Sequence, residues 1–107
     1  MPLLDRIRQL VAIPSVSSVS PQFDQSNRPV IDRLAEWLDD AGFAVRIEPL
    51  PGRPDKANLI ATLGRGPGGL VLAGHTDTVP FDAGRWQHDP FAGTVADERI
   101  YGLGTAD

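Results

Sequence analysis

At Gly42 the apolar residues of this chain change their period, and that change constrains the fold more than any other feature. Before it, Val30, Ile31, Leu34, Trp37, Leu38 and Ala41 recur at helical spacing, which gathers them on one face of a helix between Ser26 and Asp40. Pro29 suits the first turn, where its missing N–H has no intrahelical bond to lose, and Gly42 is placed to end the helix. After it, Phe43, Val45 and Ile47 alternate with Ala44, Arg46 and Glu48, as in a strand with one covered face. A helix handing over to a strand is an α/β pattern. The polar positions Asp32, Arg33, Glu36, Asp39 and Asp40 then form a solvated helix face.

The remaining segments extend this reading. Leu3, Leu4, Ile7, Leu10 and Val11 keep the helical period until Pro14 stops it, which predicts a first helix of about ten residues. Ser15 to Ser20 reads as a loop, Leu50 to Lys56 as a Pro- and Gly-bearing connection, and Asn58 to Leu63 as a second strand. Gly64 to Gly69 reads as a turn; no Lys-Ser/Thr pair follows it and a strand comes next, so it lacks the features of a phosphate-binding loop. Leu70-Val71-Leu72-Ala73 is apolar at every position, which predicts a central strand buried on both faces. Thr94 to Ala96 and Arg99 to Tyr101 flank Asp97-Glu98 as a small hairpin; Glu98 stands where a tight turn favours glycine, so a looser loop is expected. The fold class expected is α/β, two helices followed by a mostly parallel sheet and a small hairpin.

Composition narrows the function. The 107 residues are 41% hydrophobic, enough for one modest core or a piece of one. A net charge of −4 works against attraction to a phosphate backbone, so nucleic acid is not an expected partner. With no cysteine, a disulfide framework and thiolate metal sites are excluded, and any metal must be held by imidazole and carboxylate groups. Asp5, Arg6 and Arg8 stand where a signal peptide needs its apolar stretch, and no apolar run approaches a membrane span, so a cytoplasmic location without membrane partners is expected.

Titratable side chains concentrate where the apolar run ends. Leu70 to Ala73 leads into Gly74-His75-Thr76-Asp77-Thr78-Val79-Pro80, and α/β folds place their sites where strands leave the sheet. In an extended backbone His75 and Asp77 point to one side, so the carboxylate can orient the imidazole as a metal ligand; a structural histidine bonded to a loop carboxylate satisfies the same pattern. Tyr101-Gly102-Leu103-Gly104-Thr105-Ala106-Asp107 sets a second carboxylate after two glycines that let the backbone approach a bulky or charged group. An ordinary glycine turn is the alternative. Thr76 and Thr78 read as structural hydrogen-bonding residues, His88 as a solvent-exposed loop residue, and Trp86, Pro90 and Phe91 as groups that pack their loop down.

Taken in order and spacing, Ala73 to Pro80, then Trp86-Gln87-His88-Asp89-Pro90-Phe91, then Tyr101 to Asp107 resemble the co-catalytic zinc hydrolases of the aminoacylase and carboxypeptidase type. Leu103-Gly104-Thr105-Ala106-Asp107, Pro80-Phe81-Asp82 with Gly84-Arg85-Trp86, and Asp24-Gln25-Ser26-Asn27 look most like the members that deacetylate N2-acetyl-L-ornithine in arginine synthesis; related desuccinylases and peptidases more often carry Arg where Leu103 stands. The resemblance implies that His75 and Asp107 bind metal, Asp107 bridging two zinc or cobalt ions, and that Asp77 supports His75 in catalysis. It also implies that residues 1–107 are the N-terminal portion of a catalytic domain, inactive alone, whose general base, other ligands and lid or dimerisation domain lie elsewhere in a homodimeric parent. A succinyl-diaminopimelate desuccinylase, a dipeptidase, or a non-catalytic α/β binding module are the other readings.

Overall fold

The computed structural model describes residues 1–107, in two compact units: one of Met1–Ser26 with Asp77–Asp107, the other of Asn27–Thr76. The second is the simpler. Its helix α2 (Arg28–Asp40) starts after Asn27, with Pro29 in the first turn, and ends at Ala41, after which Gly42 takes φ 92°. Strand β1 (Ala44–Leu50) turns at Pro51-Gly52 into β2 (Arg53–Thr62), and the two pair antiparallel with Val45 opposite Ala61 and Ile47 opposite Leu59. Gly52 at φ 76° fits the third position of a type II turn, which only glycine enters without strain. These apolar pairs share one face of the hairpin, and α2 packs on both strands, burying Val30 and Ile31. Opposite them, Arg46 and Glu48 form an exposed ion pair of 2.7 Å. The alternating pattern therefore maps onto one covered and one solvated face, as the sequence requires.

One side chain locks this unit. Asn27 Nδ2 donates to the Ala57 carbonyl at 2.9 Å, and Asn27 Oδ1 accepts from the Ala57 amide at 2.9 Å. Ala57 is 3% exposed, so both backbone groups would otherwise lack water as well as a partner.

The first unit contains α1 (Leu3–Val11), a single 3-10 turn (Ala83–Arg85), and the hairpin β3 (Thr94–Ala96) and β4 (Arg99–Tyr101). Its loop after α1 is held by side chains: Gln25 Oε1 accepts from Val16 N at 2.8 Å, Gln25 N donates to Val16 O at 2.8 Å, and Asp24 Oδ1 accepts from Ser18 N at 2.9 Å. Val16 is 2% exposed and pairs with Thr78 in an isolated parallel bridge. Phe81 meets Phe91 edge-on at 5.3 Å, and Pro90 is buried, so this loop packs down as its composition predicts.

Four expectations are corrected. The sheets are two-stranded and antiparallel, not mostly parallel; their strands are joined by two-residue turns, and parallel neighbours need a crossover of a dozen residues or more. Leu70 to Ala73 forms no strand: Leu70, Val71 and Leu72 are 84%, 88% and 87% exposed, because β1 and β2 pair only with each other and no segment covers the run. The connection before β2 is shorter than its prolines suggest, since a register irregularity after Pro49 leaves Pro54 outside the paired positions. Finally, the β3–β4 loop is tight, with Asp97 at φ 52° and Glu98 at φ 60°, the two left-handed positions of a type I′ turn.

Two substitutions test this description by urea unfolding. Asn27→Ala strips both partners from Ala57 and is expected to destabilise the protein by about 1–3 kcal/mol. Glu98→Gly relieves a left-handed non-glycine residue and is expected to stabilise it by up to about 1 kcal/mol.

Candidate metal centre

The strings His75–Pro80 and Tyr101–Asp107 lie far apart in sequence, yet residues of both line one cavity of about 350 Å³ in the first unit. Thr78, Val79 and Trp86 line it together with Ile100 to Asp107. Thr78 is fixed through its backbone: its amide donates to Ser15 O at 3.2 Å, and its carbonyl accepts from Ser17 N at 2.9 Å. The Gly102–Asp107 turn is fixed in turn by Leu103 N donating to Pro90 O at 2.8 Å and by Thr105 Oγ1 donating to Gly102 O at 2.9 Å.

The two glycines of this turn let the backbone pass close to bulky groups, and those groups are the protein's own side chains. A Cβ on Gly102 would stand 2.6 Å from Val11 Cγ1, and one on Gly104 would stand 2.8 Å from Thr78 Cγ2. Both distances are shorter than real Cβ contacts, so the turn sits against α1 on one side and Thr78 on the other. Gly104 also has φ 84°, in the left-handed region.

Among the residues singled out from sequence, Asp107 is exposed and lines the cavity beside Thr78. Asp77 is exposed and opens the second segment of the same unit, whereas His75 is exposed and belongs to the other unit. His88 is not the solvent-exposed residue expected: it is half-buried, its ring 4.2 Å from that of Tyr101. Trp86 is half-buried. Thr78 departs most from its sequence reading as a structural hydrogen-bonding residue, since its hydroxyl is buried with no partner. No sequence signal marks it, because its burial arises from two segments that meet only in the fold.

An imidazole and carboxylates suit a borderline divalent ion such as zinc or cobalt. A metal centre takes three or four protein donors, and no cluster of three His, Cys, Asp or Glu side chains forms in this chain. His75 and Asp107 are donors of the right kind, but the number of donors a metal centre needs is not gathered in this chain. No helix is long and apolar enough to cross a membrane.

The chain matches peptidase family M20/M25/M40 over residues 71–107, which contain both strings. More particularly, it is similar to acetylornithine deacetylases: 56% identical over 106 residues to that of Photorhabdus laumondii, covering 99% of this chain and 28% of the relative. The enzyme of Pasteurella multocida is 61% identical over 98 residues, 92% of this chain and 26% of the relative. That of Shigella sonnei is 53% identical over 106 residues, again 99% and 28%. The chain thus spans little more than a quarter of the length of these relatives.

The packing of the turn is testable by a double-mutant cycle. Gly102→Ala is expected to destabilise the protein by about 1–3 kcal/mol through its clash with Val11, and Val11→Ala to destabilise it by about 1 kcal/mol or more. Combined, they should recover about 1 kcal/mol relative to their sum in urea unfolding, because the second change makes room for the first.

Proposed function

We propose that the parent protein is a metal-dependent amide hydrolase that cleaves N2-acetyl-L-ornithine to ornithine and acetate in arginine synthesis, and that residues 1–107 are the N-terminal portion of its catalytic domain. One observation carries this reading: near-complete coverage of the chain, at 53–61% identity, by acetylornithine deacetylases. The geometry supports it, since the fold gathers Thr78–Val79 and Gly102–Asp107 around one cavity. The exposed Leu70 to Leu72 run also suits a segment whose covering layers belong to a longer protein.

In this reading His75 and Asp107 would be among the ligands of the metal pair. The metal would supply Lewis-acid polarisation of the scissile carbonyl and a water whose pKa is lowered to roughly 7. The chain's own contribution is to position. Asp77 would support His75 as a ligand by fixing its tautomer and orientation. The carboxylate that moves the proton, the remaining ligands and the lid or dimerisation domain belong to the rest of the parent, a cytoplasmic homodimer acting on a small molecule. Zinc is the proposed metal, and cobalt, which accepts the same nitrogen and oxygen donors, is expected to replace it.

The test uses the full-length parent. Purified protein should release acetate from N2-acetyl-L-ornithine faster than it cleaves N-succinyl-diaminopimelate or dipeptides, lose activity to a chelator and regain it with zinc or cobalt. Asp107→Ala should lower bound zinc from two ions to one or none and reduce turnover by more than about 100-fold, beyond the 10–100-fold that follows loss of a supporting contact. Faster cleavage of the succinyl or peptide substrate would reassign the reaction. A metal-free protein inactive after metal addition would overturn the hydrolase reading.

A further inference from the structure

We propose that Trp86 and Tyr101 form an aromatic wall that reads the side chain of the substrate, taking an aliphatic chain that ends in an ammonium group. The proposal rests on the hydrolase reading above and deepens it, assigning specificity to two residues that the His75, Asp77 and Asp107 assignment leaves out.

The composition of the cavity carries it. Its volume of about 350 Å³ is that of a small-molecule pocket. Aliphatic groups line it at Val79, Ile100 and Leu103, and the two aromatic side chains, Trp86 and Tyr101, stand among them. No Lys, Arg or His is among the lining residues, and the one charged group there, Asp107, is an anion. An anionic ligand group would meet no positive partner on these walls and would lose its water at a cost. A cation meets the opposite: indole and phenol rings attract it through their faces, most strongly where water is excluded. The methylenes behind the charge gain from burial against Val79, Ile100 and Leu103.

Both aromatic residues are held in place by their own segments. Tyr101 ends β4 and pairs with Thr94 of β3, and its ring lies 4.2 Å from that of His88 at a tilt of 36°. A ring has two faces, and His88 covers one of them. Half-buried, Tyr101 lines the cavity with what remains. Trp86 follows the 3-10 turn, and its amide donates to Ala83 O at 3.2 Å, which fixes the backbone where the indole joins the lining. N2-acetyl-L-ornithine presents a short methylene chain and an ammonium that, like that of lysine, stays charged at neutral pH. With Asp107 committed to metal, recognition of that ammonium falls to the rings.

The experiment uses the metal-bound full-length parent and compares N2-acetyl-L-ornithine with N-acetyl-L-norvaline, whose side chain keeps the carbon chain without the ammonium. The ratio of kcat/KM for the two substrates should fall about 5–30-fold in Tyr101→Leu and in Trp86→Leu, the loss expected for a cation–π contact. Tyr101→Phe keeps the ring and should retain the wild-type ratio. By calorimetry, wild-type protein should bind L-ornithine at least about fivefold more tightly than L-norvaline, and both Leu variants should lose that preference. Should Tyr101→Leu not fold, Trp86→Leu and the wild-type binding preference decide. Equal binding of the two amino acids by wild type, or Leu variants that keep the wild-type ratio, overturns the aromatic wall while leaving the hydrolase reading intact. Wild-type protein that hydrolyses neither acetylated amino acid overturns both.

Discussion

Two backbone hydrogen bonds organise the candidate site: Thr78 N to Ser15 O, and Ser17 N to Thr78 O. They join the loop after α1 to the segment that follows His75-Thr76-Asp77, forming the single parallel contact of the first unit. Everything nearer the cavity depends on them. Val16 is buried at the bridge, and Gln25 clamps it from the other side through one main-chain and one side-chain bond. With Thr78 held, its methyl forms a wall that Gly104 can approach only because it lacks a side chain, and Val11 of α1 forms the matching wall for Gly102. The backbone leading to Asp107 is therefore held by packing at Gly102 and Gly104.

How legible this was follows from the range of the interactions involved. The second helix and the β1–β2 hairpin are written in local periodicity, and each finds its apolar face covered within Asn27–Thr76, so pattern and structure agree. The Leu70 to Ala73 run carries the strongest strand composition in the chain but no means of pairing with itself. A strand becomes one only through neighbours, and here none pairs with it. Asp97-Glu98 misleads for the opposite reason: the short β3–β4 pairing imposes two left-handed residues on side chains that disfavour them, and tertiary context overrides turn preference.

The site divides in the same way. His75, Asp77 and Asp107 stand out in sequence because imidazole and carboxylate groups are chemically conspicuous beside glycine and at the end of an apolar run. The groups that position them do not. Thr78 reads as one more polar residue, and the glycines read as points of close approach without saying to what, which the fold answers with Val11 and Thr78. Asn27 and Gln25, noticed only as part of a recognisable string, turn out to satisfy buried main-chain groups at Ala57 and Val16. Support of this kind is not legible in sequence, because it depends on which distant segments meet.

The measurement that bears most directly on this account is anomalous X-ray scattering at the zinc edge from crystals of the full-length protein grown with zinc. Two anomalous peaks a few ångströms apart, with the Asp107 carboxylate between them and His75 on one, are the predicted result. Peaks ligated by other residues, with Asp107 turned away from both, would contradict it.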